Sequence, residues 1–440
     1  MIPGARVQAA IELLDQIAAA GTTAPADRLV GNYFRSRRYA GSKDRRAVTE
    51  TVYDVLRRQG EYAWRAGGGD SRRLVLAHLM AAANGDLQAR ANDVAALFDA
   101  ARFCPANLDV DEQAALWQLS RQATTEAPAW VLGNYPEWLH PALSRRFGPD
   151  LGLEMAAMQG RAAVDLRVNT LKSSRDEVMA ALALDDIPVT LGALAPTALR
   201  LNSRRAMTSH PLYQGGAIEI QDEGSQLVSL LCAAQPGQQV IDYCAGGGGK
   251  SLGLAMQMAN KGQIFAFDSA PQRLRPLRAR LQRAGARNIQ VHALADAAAI
   301  AALANLTGRA DRVLLDVPCS GSGAWRRNPE SKWRLTADKL SQYSASQGEI
   351  LRRAAPLVAP GGRLIYATCS ILMEENEDQI EGFLGESPDF GLLPVDRVWN
   401  EVLGTACPGE VHDGPYLRLT PAGQGMDGFF MAILERRANT

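Results

Sequence analysis

The chain has 440 residues, 47% of them hydrophobic, and its 47 lysines and arginines are matched by 47 aspartates and glutamates. That length exceeds one ordinary core and suggests about three domains; the zero net charge excludes a global basic field, so any nucleic acid has to be held by local patches. Six cysteines without C-x-x-C spacing and five histidines without an H-E-x-x-H or zinc-finger pattern exclude the common metal motifs, and no apolar run approaches a membrane span.

The apolar stretch from Val7 to Ala20 is interrupted by Glu12 and Asp15 at helical spacing, unlike a signal peptide, so a soluble cytoplasmic protein is expected. Residues 1–120 lack strand alternation and predict an all-α domain, with amphipathic helices over 5–20, 25–34, 43–58, 71–83, 88–98 and 111–118. Its most basic segment, from Arg35 through Tyr39 to Arg46, reads either as an RNA-contacting loop or as a solvated turn. Residues 125–205 read as a small α/β module, with an aromatic stretch from Trp130 to Trp138 and strands at 165–169, 187–191 and 198–202. Its helix is capped by Ser174, with Glu177 at the capping-box position. Such a module suits RNA binding or a purely structural adaptor.

Residues 206–440 alternate strands and helices. A strand at 218–221 leads into a helix at 223–234, and core strands follow at 239–243, 263–267, 288–292, 312–315 and 363–367. This pattern predicts an α/β, doubly wound, mostly parallel Rossmann-like sheet whose ligand lies beyond the carboxyl ends of the strands. The first of those ends delivers Cys244, Ala245, Gly246, Gly247, Gly248, Gly249 and Lys250, a loop whose backbone N–H groups can approach a ligand. Asp268 ends the second strand, where a carboxylate can accept ribose hydroxyls. Asp296 follows the third, and Asp316 ends the fourth. Cys319 and Cys369 sit just beyond the fourth and fifth strands.

Two cysteines at strand ends beside a nucleotide-type loop point to thiolate chemistry at a bound cofactor, with a pair of inert buried thiols as the alternative. A P-loop nucleotide hydrolase, with Asp316 holding its metal, matches except that Cys244 stands where the first glycine belongs. A dinucleotide dehydrogenase fails at Ser251, where a third glycine is required. Neither gives the cysteines work.

The strings Asp242-x-Cys-Ala-x-x-Gly-Gly-Lys250, Asp316-x-Pro-Cys-Ser-Gly-x-Gly323 and Ala367-Thr-Cys-Ser370 resemble the signature motifs of the RsmB/Sun/Nop family of S-adenosylmethionine-dependent RNA cytosine-5 methyltransferases. Leu166-Arg-Val-Asn-Thr-Leu-Lys172, Gln221-Asp-Glu-Gly-Ser-Gln226 and Gly425-Met-Asp-Gly-Phe-Phe430 add to the likeness, which spans about residues 125–440. Residues 1–120 resemble, more faintly and mainly through Asp44 to Arg57, the NusB-like RNA-binding domain of the RsmB branch.

The resemblance implies a class I methyltransferase domain over 206–440. It implies S-adenosylmethionine held by Cys244 to Lys250, Asp268, Asp296 and Asp316. Cys369 would be the nucleophile toward carbon-6 of cytosine. Cys319 would assist breakdown of the adduct, and Asp316 would bond a protonated ring N3. The implied partner is structured RNA, 16S ribosomal RNA first and transfer RNA as the alternative, with no membrane, no metal and a monomeric enzyme. A non-catalytic RNA-binding assembly factor is the other class that keeps the fold.

Gly247 departs from the family's proline, and Gln424 from its histidine. Pro276 should kink the helix after Asp268. Arg273, Arg280, Arg283 and Arg287 fall on one face of that helix, as a phosphate track or an exposed charged face. Arg326, Arg327, Lys332, Trp333 and Arg334 combine charge with an aromatic just after Cys319 and are expected RNA contacts.

Overall fold

The computed structural model describes residues 1–21, 24–83, 86–121 and 126–438. The boundary expected at 120–125 falls mostly outside these residues. The chain divides into two compact units, one of Met1–Arg161 with Trp325–Thr336, the other of Ala162–Ala324 with Ala337–Thr440.

The first unit is helical: Pro3–Ala20, Ala26–Ser36, Ser42–Arg57, Gln59–Ala66, Ser71–Ala82, Leu87–Ala95 and Val110–Arg121 lead into shorter helices, among them His140–Phe147 and Leu151–Met158. Val7, Ala10, Ile11, Leu14 and Ile17 recur at helical spacing along one face of the first helix and join Val52, Val75 and Met80 in one core. Asp70 accepts a bond from Arg73 N and starts Ser71–Ala82. Gln59–Ala66 was not expected. It follows its predecessor with only Arg58 between, and Gly60 in its first turn weakens the helical signal.

The excursion Trp325–Thr336 packs into this unit by capping its helices. Glu330 Oε1 accepts from Ala26 N (2.9 Å) at a helix start. Lys332 Nζ donates to Arg57 O (2.8 Å) and Trp333 Nε1 to Leu56 O (2.9 Å), at the end of Ser42–Arg57. Arg334 donates to Ile17 O and Ala24 O (both 2.8 Å). An acid at one helix start and donors at helix ends complement the helix dipoles. Lys332 and Trp333, expected to meet RNA, are therefore spent on backbone carbonyls, and Lys332 is 3% exposed.

The second unit contains two sheets. Strands β1 (Asp165–Val168), β2 (Val189–Leu191), β3 (Ala198–Leu201) and β4 (Ile218–Ile220) form an antiparallel sheet in the order β2-β3-β1-β4. The strand expected at 218–221 thus pairs here rather than in the parallel sheet. Leu166, Val168, Val178, Leu182, Leu199 and Ile218 make its core, and the Ser174–Glu177 capping box forms at the helix Arg175–Leu184.

The large sheet comprises β5 (Gln239–Asp242), β6 (Gln263–Asp268), β7 (Ile289–Ala293), β8 (Ala310–Asp316), β9 (Val358–Thr368), β10 (Phe390–Leu393), β11 (His412–Asp413), β12 (Tyr416–Leu419) and β13 (Phe429–Arg436). Its order is β11-β12-β13-β9-β8-β5-β6-β7, with β10 also paired to β13. The five strands from β7 to β9 run parallel, and β13 lies antiparallel on β9 with Phe430 opposite Thr368. Val240, Ile241, Val313, Leu314, Leu364 and Ile365 are fully buried, as central strands covered on both faces require. Strand order reverses between β5 and β8, which puts the ligand crevice at their carboxyl ends. The expected Rossmann-like sheet is present, extended by a carboxy-terminal antiparallel part.

Helix Pro271–Ala284 runs through Pro276. On it, Arg280 and Arg283 both pair with the buried Glu219 of β4 (3.0 and 2.5 Å) and Arg273 with Asp268 (3.6 Å), so three of the four arginines read as a phosphate track or an exposed charged face are paired within the unit. Among the described residues no helix is long and apolar enough to cross a membrane, and no group of His, Cys, Asp and Glu is placed to hold a metal ion.

Candidate active site

The glycine loop between β5 and helix Gly249–Gln257 is shaped by two left-handed glycines, Gly246 (φ +51°) and Gly248 (φ +77°). A Cβ on Gly248 would stand 2.0 Å from Leu277 Cδ1, so no other residue fits there. The loop is pinned from three sides. Ala245 N donates to Phe267 O (2.8 Å), Arg280 Nη1 to Gly247 O (2.6 Å), and the buried Arg167 of β1 to Gly249 O (2.6 Å). Arg167 also bonds Gln221. The small sheet thus supports the loop directly.

Asp268 at the end of β6 is 1% exposed. One of its oxygens accepts from Gly246 N (2.9 Å), the other from Ala270 N (2.8 Å), which ties the β5 and β6 loops together. Asp296 lies further out, exposed at the start of helix Ala297–Ala304. It lines a groove of about 460 Å³ together with Leu274, Arg275, Val291 and His292. Asp242 is buried beneath the loop, where Ser251 Oγ donates to one carboxylate oxygen (2.6 Å) and the other has no partner among the described residues. Burial pushes its carboxyl up to about 7.

Lys250 Nζ pairs with Asp316 at 2.6 Å. Burial works against the ammonium, but the charge and hydrogen bond of Asp316, with Cys369 and Asp242 adding to them, outweigh it and raise the lysine above its ordinary range. Lys250 is therefore a cation fixed by Asp316.

The two cysteines meet. Cys319 Sγ, beyond β8, lies 3.4 Å from Cys369 Sγ, beyond β9, and both are partly exposed. The hydrogen bond to Cys369, followed by burial, holds the Cys319 thiol well above its usual range. The β8 and β9 loops are held by serines and glycines as well. Ser322 Oγ bonds Ser370 Oγ (2.9 Å) and accepts from Ile371 N (2.9 Å). Gly323 N donates to Cys369 O (2.9 Å), and Gly428 N donates to Gly323 O (2.9 Å). A Cβ on Gly323 would come within 2.1 Å of Gly428 O, so the segments 320–323 and 426–430 carry these two glycines because their backbones touch.

Sequence-expected residues Cys244 to Lys250, Asp268, Asp316, Cys319 and Cys369 thus converge at the ends of β5, β6, β8 and β9, while Asp296 stands at the rim groove. Cys244 is buried, and burial raises its thiol strongly.

A model of the family described as 16S rRNA methyltransferase RsmB/F matches residues 229–435, and a model of the RsmF/B-like ferredoxin-like domain matches 135–208. A probable ribosomal RNA small subunit methyltransferase B of Synechocystis is 34% identical, covering 69% of this chain and 67% of its own. The chain belongs to the RsmB/F methyltransferase family. Ribosomal RNA small subunit methyltransferase B of Shewanella oneidensis is 32% identical over 68% of this chain and 67% of its own. Among solved structures, the crystal structure of PH0851 has a TM-score of 0.76 at 26% identity, with 99% of both chains covered. A methyltransferase homologue from Pyrococcus horikoshii gives 0.58 at 28%, covering 70% of this chain and 97% of its own.

The family strings gave the positions of the thiols and the loop but not their supports. Arg167, Ser320, Ser322, Ser370, Glu375 and the Gly323–Gly428 contact were missed as site residues. Arg167 and the two glycines lie inside strings that mark the family, which was the available signal.

Proposed function

We propose that this methyltransferase moves a methyl group from S-adenosylmethionine to carbon-5 of a cytosine in 16S ribosomal RNA, through a covalent adduct on Cys369. The 3.4 Å approach of Cys319 and Cys369 beside the Lys250–Asp316 pair carries the reading. The similarity to bacterial ribosomal RNA small subunit methyltransferase B supports the substrate class.

The residues fit the cofactor. Gly246 and Gly248 leave the loop free of side chains at a helix start, Asp268 presents a buried carboxylate, and the groove at Asp296 offers apolar Leu274 and Val291 with polar neighbours. Cys244 to Gly249, Asp268, Asp296 and Asp316 would hold it, and when bound it supplies an electrophilic methyl group.

Cytosine carbon-5 is a poor nucleophile. A Cys369 thiolate adding to carbon-6 turns the ring into an enamine that is nucleophilic at carbon-5. An ordinary thiol is only a few per cent ionised at neutral pH, so the proton of Cys369 has to be drawn off as the sulfur attacks. Asp316 can accept a hydrogen bond from a protonated ring N3, whose positive charge draws electrons from carbon-6. After methylation a base takes the carbon-5 proton, the C–H electrons restore the C5–C6 double bond and Cys369 leaves as a thiolate, to which the neutral Cys319 thiol in contact with it can donate a hydrogen bond. The target base has to leave its stack for Cys369 to reach carbon-6.

In this reading residues 1–120 and 125–205 bind RNA and residues 206–440 perform the chemistry, in the cytoplasm and as a monomer. A nucleotide hydrolase is disfavoured because Lys250, its phosphate ligand, is already paired to Asp316. Cys369→Ala is expected to abolish methylation and adduct formation. Cys319→Ala is expected to leave RNA trapped on the protein, seen as a slow band in denaturing gels. An active Cys369→Ala enzyme would overturn the assignment.

A further inference from the structure

Two thiols from different strand ends hold one separation, and a single carboxylate bonds both of their loops. Glu375 has no exposed surface. Its Oε1 accepts from Ser320 N (2.8 Å) and Gln347 Nε2 (3.1 Å), and its Oε2 from Ser320 Oγ and Ser370 Oγ, both at 2.5 Å. Ser320 follows Cys319 and Ser370 follows Cys369.

The flanks on the other side are bound from the same cluster. Gln347 Nε2 also donates to Pro318 O (2.9 Å), next to Cys319. Asn376, beside Glu375 in sequence, donates to Ser370 O (3.0 Å) and accepts from Thr368 Oγ1 (2.6 Å), so both neighbours of Cys369 are held. Tyr366 OH on β9 donates to Glu375 O at 2.5 Å, which fixes the glutamate's own backbone. The four donors to the carboxylate are two hydroxyls, an amide and a backbone N–H, all neutral. A buried carboxyl group satisfied only in this way is costly to hold for packing alone.

We propose that Glu375 is a positioning residue, resting on the reaction proposed above, that sets the distance between the Cys319 and Cys369 thiols by bonding the serine after each. It touches neither base nor cofactor; it acts through Ser320 and Ser370. A carboxylate suits the site because it can accept all four bonds at once, two of them from groups that can only donate there, Ser320 N and Gln347 Nε2. An amide in its place has to keep its oxygen on Ser320 N and Gln347 Nε2 and turn its nitrogen to the two serine hydroxyls, which then lose the acceptor for their own protons. The Ser322–Ser370 bond and the Gly323–Cys369 bond do not involve Glu375, so losing the carboxylate loosens the loops without releasing them.

Two measurements on the full-length protein test this with Glu375→Gln, Glu375→Asp and the double variant Ser320→Ala/Ser370→Ala, each checked by its thermal unfolding midpoint. The first needs no RNA. Diamide takes two protons and two electrons from the thiol pair and becomes the hydrazine, and the Cys319–Cys369 linked peptide is followed by mass spectrometry. Its rate of appearance is expected to fall about tenfold in Glu375→Gln and in the double variant, with partial recovery in Glu375→Asp, since effective concentration depends steeply on placement.

The second measurement is methylation of a 16S ribosomal RNA transcript. There kcat is expected to fall about a hundredfold while KM for RNA stays within about threefold. Wild-type cross-linking rates in folded Glu375→Gln and in the double variant would overturn the proposal whatever the methylation result. If cross-linking slows as expected but wild-type protein methylates no RNA cytosine, the functional reading fails and the positioning role stands.

Discussion

Lys332 shows how a residue's chemistry is set by where its atoms end up. Its side chain carries a cation and neighbours a tryptophan, the composition of an RNA contact, yet its ammonium is sealed inside the helical unit against Arg57 O. Burial, with the nearby Arg57 charge, lowers it from 10.5 to about 7. Between those two pH values the unfolded chain holds a proton that the folded chain lacks, so stability of this unit should rise with pH across that window. The slope for one proton is at most about 1.4 kcal/mol per pH unit. Urea titrations followed by circular dichroism at several pH values check this, and Lys332→Met should flatten the dependence. Equal slopes in both proteins would show that Lys332 stays charged.

At the scale of elements, the strand-to-helix loop at the end of β5 separates glycines by need. Gly248 combines φ +77° with Leu277 against its missing Cβ, so Gly248→Ala should cost about 1–3 kcal/mol from backbone strain, before the clash adds to it. Gly247, the departure from the family's proline, lies outside the left-handed region, and its N–H makes no hydrogen bond among the described residues. Gly247→Pro should therefore be tolerated, and should stabilise by about 0.4–1 kcal/mol through the unfolded chain. Thermal unfolding of the two variants should move in opposite directions. Gln424, the other departure, only caps locally, with Thr420 N and Glu410 O as its partners.

Elements of this kind were legible because their signals are local: apolar runs for β5, β8 and β9, glycines for the loop, Ser174 and Glu177 for a cap. Glu375 was not, because in sequence it sits among Glu374, Asn376, Glu377 and Asp378 and looks like a solvated face. Only the closure of β9 on β8 puts it between two serine hydroxyls. The partner of two arginines after Asp268 was hidden for the same reason, since Glu219 comes from another sheet. The strand at 218–221 was found but not its partner, because period-two alternation says nothing about which edge a strand joins.

Across the whole molecule, the site is assembled where the order of parallel strands reverses, with Asp268, Asp316, Cys319 and Cys369 at or just beyond strand ends and Lys250 on the helix that follows β5. The central claim is that Cys369, and not Cys319, bonds the base. An RNA containing 5-fluorocytidine tests it most directly, because fluorine at carbon-5 cannot leave as a proton does and the adduct persists after methylation. Incubated with S-adenosylmethionine and digested, the protein should yield a methylated fluorocytidine nucleotide on the peptide bearing Cys369. An adduct on the Cys319 peptide, or methylated RNA with no adduct at all, would contradict the account.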